Sequence, residues 1–63
     1  MFNTFEELRQ KAKENLSNLL GVVSYGEREV IRCTDGYQCN DWSSSLDFKT
    51  PDINIALDFL FPA

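Results

Sequence analysis

The chain offers few residues whose types could support catalysis or metal binding. It has 63 residues with no histidine and two cysteines, Cys33 and Cys39. A catalytic serine or cysteine needs a neighbouring base that titrates near neutral pH, and histidine is the usual one. Two cysteines without histidine also cannot complete an ordinary four-ligand zinc site. We therefore expect a protein that is not an enzyme, that holds no metal and no cofactor, and whose two thiols are reduced.

Oxygen ligands for calcium form the next candidate. Asp35, Asn40 and Asp41 lie close together in the sequence, but they lack the dense spacing and the distal glutamate of an EF-hand loop. Aspartate and asparagine are also common turn residues. The three glycines stand where helix caps or turns are expected, so no phosphate-binding loop is indicated.

The distribution of charge points to a partner of opposite sign. Residues 1–32 carry equal numbers of acidic and basic side chains, whereas residues 33–63 carry five aspartates against Lys49 alone, so the net charge of −4 lies in the second half. Such a field repels nucleic acid and anionic membranes and attracts basic surfaces. We expect a protein partner with a basic surface and no direct contact with nucleic acid or membrane.

Length and composition indicate a single small domain spanning residues 1–63. The chain is 43% hydrophobic and 25% charged, which is typical of a globular protein. A domain of this size has a thin core and marginal stability, so a homodimer is left open. The N-terminus has neither the basic start nor the apolar run of a signal peptide, and no apolar stretch is long enough to span a bilayer. We expect a cytoplasmic protein.

Residues 4–20 are predicted to form an amphipathic helix. Thr4 and Glu7 have the spacing of a capping box, and Gly21 stands where a left-handed cap would end the helix. Apolar side chains recur at helical spacing: Phe5, Leu8, Ala12, Leu16, Leu19 and Leu20.

Two short hairpins are predicted next. Strands at 22–25 and 28–34 join through a Gly26-Glu27 turn, with Val23 opposite Val30. A three-residue loop at 34–36 then places Cys33 opposite Tyr37. In this register the two cysteines share one face as diagonal neighbours, about 7 to 8 Å apart, which is too far for a disulfide. A bulge or corner is expected at residues 40–41.

The stretch 42–61 is predicted to be an amphipathic hairpin that turns at Pro51-Asp52. In its register Trp42 faces Phe61 in the core, while Asp47 and Asp58 lie on the polar face. The alternative is a helix that starts at residues 50–52, with a hydroxyl cap and with proline at its first position. We prefer the strand because isoleucine and phenylalanine favour pleated surfaces and because the hairpin also explains the alternation upstream.

These elements predict an α+β fold in which one N-terminal amphipathic helix packs on a four- to five-stranded antiparallel β-meander. Leu16 on the helix and Leu57 on the hairpin should then be buried against the same interior.

The predicted hairpin suggests a binding surface. Asp47 and Asp58 become diagonal neighbours at about 7 Å, with Asp41 along the same edge and Asp52 in the turn. This spacing is near that of successive phosphates, so the four aspartates are candidate partner-binding residues. The simpler interpretation is that they only provide solubility and discourage edge pairing.

The leading functional hypothesis is a small acidic inhibitor that mimics nucleic acid and occupies a basic groove on another protein. The analogy is one of size and charge with compact acidic proteins of phages and mobile elements, including inhibitors of CRISPR nucleases. The alternative is a structural or regulatory subunit that joins its own copy or a larger complex. It would use a sheet edge or an apolar patch of Val23, Tyr25 and Val30.

Overall fold

The computed structural model describes residues 4–62 of the chain. Two helices and four strands occur in the order helix, four strands, helix, and the strands form one antiparallel sheet in sequence order. The predicted α+β class and antiparallel meander are therefore confirmed, with four strands in the described part of the chain. The elements are α1 (Thr4–Asn15), β1 (Val22–Tyr25), β2 (Arg28–Cys33), β3 (Gly36–Asp41), β4 (Leu46–Thr50) and α2 (Ile53–Leu60).

Helix α1 is shorter than predicted. It ends at Asn15, and Leu20 rather than Gly21 takes a positive φ, of 66°. The Leu20 amide donates to the Arg32 carbonyl at 3.0 Å, and the Arg32 amide donates to the Gly21 carbonyl at 2.9 Å. Pairing with β2 therefore replaces the last predicted helical turn, and Leu19 and Leu20 are exposed.

The inward stripe of α1 agrees with the prediction over the length that the helix retains. Ala12 and Leu16 are buried, and Phe5 and Leu8 pack against the same core. The predicted capping box depends on the Thr4 side chain, which lies outside the described part of the chain.

The first hairpin has the predicted register. Val23 lies opposite Val30, and Tyr25 lies opposite Arg28. Gly26 has a φ of 63°, as a two-residue turn with glycine in its first central position requires.

The second hairpin differs from the prediction by one residue. Cys33 pairs with Gly36, so the loop has two residues rather than three, and Val30 faces Cys39. Gly36 has a φ of 150°, and a Cβ at this position would lie 2.7 Å from the Thr50 carbonyl oxygen. Glycine is therefore needed for the close approach of β4, not for a bulge.

This register separates the two cysteines. They are free thiols, as predicted, but they lie on opposite faces of the sheet rather than as diagonal neighbours on one face. Cys39 is fully buried and Cys33 is partly exposed.

The predicted bulge at residues 40–41 is also wrong. Asn40 and Asp41 pair regularly with Asp47 and Leu46 across the third hairpin. The slip in the apolar pattern instead marks the end of β3 and a four-residue turn at 42–45, in which Ser45 has a φ of 59°.

The predicted hairpin over residues 42–61 is wrong, and residues 53–60 form a helix, as in the alternative. The start of the helix differs from that alternative, because the cap is Asp52 rather than the Thr50 hydroxyl and Pro51 precedes the helix. Asp52 caps α2 by accepting from the Asn54 amide at 2.8 Å, and the Asp52 amide donates to Thr50 Oγ1 at 3.1 Å. Ala56 and Leu60, which the hairpin would place on its polar face, are buried. A helix buries them together with Leu57 on one stripe, which outweighs the β propensity of the isoleucines.

Helix α2 packs across β2, β3 and β4, and α1 packs against α2 and β1. Leu16 and Leu57 belong to the same buried core, as predicted, although Leu57 reaches it from a helix. Phe61 is buried, but Trp42 is 69% exposed, so the predicted core pair of these two residues is wrong. Neither α1 nor α2 has the length and apolar character that crossing a bilayer requires.

Candidate protein-binding surface

The sheet has one covered face and one open face. Within residues 4–62 both helices lie on the side of Val30 and Cys39, which are fully buried. Side chains alternate along each strand, so the intervening residues point away from the helices. We call this side the open face, and it comprises Val22, Ser24, Glu29, Ile31, Cys33, Gln38, Asn40, Asp47 and Lys49.

The arginines of β2 lie on the covered face. Arg28 Nε donates to Asp41 Oδ2 at 3.0 Å, and its Nη1 donates to the Phe59 carbonyl at 2.7 Å. Its guanidinium carbon lies 4.8 Å from the centre of the Phe59 ring. The Phe59 carbonyl is in the last turn of α2, where a cation is favoured. Arg28 therefore fastens the end of α2 to the sheet.

Arg32 has the same role at α1. Its Nη1 donates to the Leu16 carbonyl at 3.2 Å, just beyond the end of α1, and its guanidinium carbon lies 5.2 Å from the Tyr37 ring centre. Among the strand residues that the structure describes, Lys49 is then the only cation on the open face. Its Nζ lies 2.7 Å from Asp35 Oδ1.

Acidic side chains cluster at one end of the open face. Glu29 and Asp47 flank Asn40 on neighbouring strands. Asn40 Nδ2 donates to Glu29 Oε1 at 3.2 Å, and Gln38 Nε2 donates to Asn40 Oδ1 at 3.1 Å. The Asp47 carboxylate has no hydrogen bond or ion pair with any residue in the described range. It is therefore free to contact a partner.

Trp42 extends this acidic end. Its amide donates to the Glu27 carbonyl at 2.8 Å, which continues the β2–β3 ladder by one pair. Alternation then places the indole on the side of Asn40, opposite the buried Asp41. The cavity beside it has a volume of about 240 Å³ and is lined by Asn40 and Asp47 among others. Ligand pockets usually occupy about 300 to 1,000 Å³, so the site suits a protein surface better than a small molecule.

Asp41, a predicted partner-binding residue, is structural. It is 6% exposed on the covered face, where it accepts from Ser43 Oγ at 2.7 Å and from the Ser43 amide at 3.0 Å. The hydrogen bond from the Ser43 hydroxyl, and then the bond and charge of Arg28, lower the pKa of Asp41 to about 2. Asp41 is therefore a buried anion and not a surface carboxylate.

The remaining predicted aspartates do not form a row. Asp58 lies on α2 and pairs with Arg9 of α1 at 2.8 Å, and Asp52 caps α2. Asp47 lies on the open face, so it is separated from Asp58 by the thickness of the sheet. The predicted diagonal contact was a consequence of the wrong hairpin.

The predicted apolar patch is not a surface patch. Val30 is fully buried, and Val23 packs against the core. Tyr25 is partly exposed, but its ring contacts Phe5 and Phe61 at centroid distances of 5.7 and 5.1 Å. These three residues face the helices and stabilise the fold.

Sequence reasoning missed Glu29 and Trp42 as parts of a surface. One signal was present in the β2 segment, where arginines at 28 and 32 alternate with the glutamate at 29. That alternation sorts cations and anions onto opposite faces. Trp42 was missed because the apolar pattern was extended through a turn.

The comparisons add no family or structural assignment. No family model, curated protein or solved structure matches this chain. Within residues 4–62 no group of three or more acidic or cysteine side chains is arranged to hold a metal ion.

Proposed function

We propose that this chain is a small non-enzymatic protein that binds another protein through the acidic end of its open face. The observation that carries the proposal is Trp42, which is 69% exposed and lines a cavity together with Asn40 and Asp47. Glu29 lies opposite Asn40 on the neighbouring strand. We further propose that it acts in the cytoplasm as an inhibitor, filling a basic groove that otherwise binds nucleic acid.

The chemistry of the surface supports this proposal. Exposed carboxylates steer a basic partner towards the surface and set its orientation. Tryptophan supplies a large apolar contact and is enriched among the residues that dominate binding energy. A surface that combines the two fits a groove lined by arginine or lysine, because a guanidinium can bind a carboxylate and stack on an indole.

The alternative role is a subunit that joins its own copy or a complex through a sheet edge or an apolar patch, and the form that uses the patch of Val23, Tyr25 and Val30 has less support. Val30 is buried in the core and Val23 packs against it, so this set presents little apolar area to a partner.

Two double variants of equal charge test the proposal. Glu29→Gln with Asp47→Asn removes two acids from the proposed surface, and Glu7→Gln with Glu14→Gln removes two exposed acids from α1. Each reduces the net charge of −4 by the same amount. Proteins captured from host lysate by the wild type are identified by mass spectrometry, and the partner is purified for binding kinetics at several salt concentrations.

The expected partner has a basic nucleic-acid-binding groove, and an oligonucleotide competes for it. The surface variant should associate roughly tenfold more slowly at low salt, and the α1 variant should resemble the wild type. Equal losses in both variants would indicate a general effect of net charge. Binding that is insensitive to salt and to both variants would reject the acidic surface.

A further inference from the structure

Strand β4 forms one edge of the sheet, and its outward backbone groups can be identified. The Trp42 amide donates to the Glu27 carbonyl, so this pair is hydrogen-bonded, and every second pair along β2–β3 is hydrogen-bonded with it. The intervening residue Cys39 therefore bonds to β4, where it pairs with Phe48. It follows that the amides and carbonyls of Asp47 and Lys49, which alternate with Phe48, point away from the sheet.

Asp47 and Lys49 carry opposite charges, so two copies of β4 can present complementary charges to each other. If β4 pairs antiparallel with β4 of a second copy, the outward amides and carbonyls of Asp47 and Lys49 in the two copies can form hydrogen bonds in three central registers. Two of them place Asp47 opposite Asp47 or Lys49 opposite Lys49, and like charges directly opposite each other are destabilising. The third places Asp47 opposite Lys49 twice, with Phe48 on the two-fold axis.

We propose that β4 is a homodimer interface, in which two copies pair antiparallel about Phe48. The contact is isologous, because each Asp47 faces the Lys49 of the other copy. It joins two four-stranded sheets into one continuous sheet and satisfies the outward amides and carbonyls of residues 47 and 49.

Apolar side chains on the covered side support the same contact. Phe48 packs edge-to-face on Phe59 with ring centres 5.2 Å apart, so this side of α2 lies over β4. Ile55, one turn before Phe59, is 49% exposed, and Leu46 on β4 is also 49% exposed. In the register centred on Phe48, the two Phe48 side chains meet at the two-fold axis, and each Leu46 lies opposite Thr50 of the other copy.

The intrachain pair of Lys49 with Asp35 is compatible with this arrangement. Both side chains are substantially exposed, at 45% and 70%, and exposed pairs are weak. The lysine ammonium has three donors, so Lys49 can lie between Asp35 of its own chain and the opposing Asp47. A charged lysine on an edge disfavours pairing with unrelated strands, which makes the self-complementary register the favoured one.

Charge reversal followed by a charge swap tests the register. Sedimentation equilibrium of the 7.3 kDa chain is measured from about 1 µM to about 1 mM, because a small interface gives a weak dimer. Asp47→Lys should weaken the dimer by roughly tenfold or more, and adding Lys49→Asp should restore it, since opposite charges then face each other in reversed order. Both variants also carry Asp35→Asn, so that residue 49 does not meet a second acid within its own chain. Glu14→Lys, at an exposed position of α1, serves as the control of equal charge change and should leave dimerisation unchanged.

A measurement on the wild type keeps the test independent of variant folding. Hydrogen exchange at the Asp47 and Lys49 amides should slow as concentration rises, whereas the Phe48 amide, which faces β3, should change less. A chain that is monomeric across the series overturns the proposal. The proposal is also overturned if the Asp47→Lys variant dimerises as the wild type does, or if adding Lys49→Asp fails to restore the dimer. Asp47 takes part in both proposals, whereas Trp42 lies outside β4. Trp42→Ala therefore measures binding of the partner in Proposed function separately from dimerisation.

Discussion

Arg28 on β2 and Asp41 on β3 lie directly opposite each other and form a 3.0 Å ion pair on the covered face of the sheet. The same guanidinium donates to the carbonyl of Phe59 near the end of α2, while the same carboxylate accepts from Ser43 in the turn before β4. One ion pair thus connects two strands, a turn and a helix terminus.

Asp41→Asn is expected to destabilise the domain. Asparagine can still accept from Ser43, but it cannot balance the charge of Arg28, which is left beside an uncharged amide. Thermal unfolding followed by circular dichroism should give a lower midpoint than the wild type. Asp47→Asn is the control and should unfold near the wild-type temperature, and equal midpoints for the two variants would contradict a structural role for Asp41.

The difference in stability between the wild type and Asp41→Asn should depend on pH. The folded-state pKa of Asp41 is lowered from its ordinary value of 3.8 to about 2. Its contribution to stability is therefore fully present above about pH 4 and is lost as the pH falls towards 2. The gap in unfolding free energy between wild type and Asp41→Asn should narrow over this interval. A gap that stays constant from pH 6 to pH 2 would exclude the linkage.

The first hairpin was predictable because its signals are local. Gly26 and the flanking apolar residues specify both the turn and the register without reference to the rest of the chain. The next loop is one residue shorter than predicted, because Gly36 belongs to β3 and not to the turn. Its actual requirement is the approach of Thr50, a residue 14 positions away, which no local pattern reveals.

For α2, by contrast, the local sequence does contain a helix signal, and the strand pattern of the preceding residues misleads the prediction. Residues 50–52 do signal a nearby helix start, although the cap is Asp52 and not the predicted Thr50 hydroxyl. The prediction gave more weight to β propensity and to an alternation that begins at Trp42. Side-chain period alone cannot separate a short buried helix from a strand. The predicted row of aspartates is absent for the same reason, because it required strand pairing within residues 42–61.

Leu57→Ala should remove most of the stability of this small domain. Leu57 is 2% exposed within the shared core of α2 and α1, and truncation of a buried leucine costs about 2 to 5 kcal/mol. Urea unfolding gives the free energy directly. Leu19→Ala, in the exposed turn after α1, should change it by less than about 0.5 kcal/mol, and a comparable loss at both positions would contradict the core.

Asp52→Ala tests the start of α2. Loss of the side-chain bond to the Asn54 amide should cost about 1 kcal/mol, as is typical for removal of an N-cap. Asp52→Asn keeps an accepting oxygen and should retain most of that stability. Identical stabilities for the wild type and the alanine variant, measured by urea unfolding, would argue against a cap at this position.

The two thiols should differ sharply in reactivity. Burial raises the pKa of the Cys39 thiol to about 11, and the side chain has no solvent exposure, whereas Cys33 is partly exposed on the open face. Because the thiolate is the reactive species, a thiol reagent at pH 8 should modify Cys33 first and Cys39 only on unfolding. Peptide mapping by mass spectrometry assigns the sites, and equal rates in the native protein would contradict the assigned faces.

Trp42→Ala separates binding from stability more cleanly than any carboxylate variant. The indole is exposed beside the acidic end of the open face, so its removal should leave the unfolding midpoint within a few degrees of the wild type. A tryptophan that anchors an interface typically contributes 2 kcal/mol or more, so affinity for the captured partner should fall by roughly 30-fold or more. Leu19→Ala removes an exposed apolar side chain from the turn after α1 and should bind as the wild type does. Isothermal titration with both variants decides the matter: unchanged affinity for Trp42→Ala would show that the partner does not contact this end of the sheet.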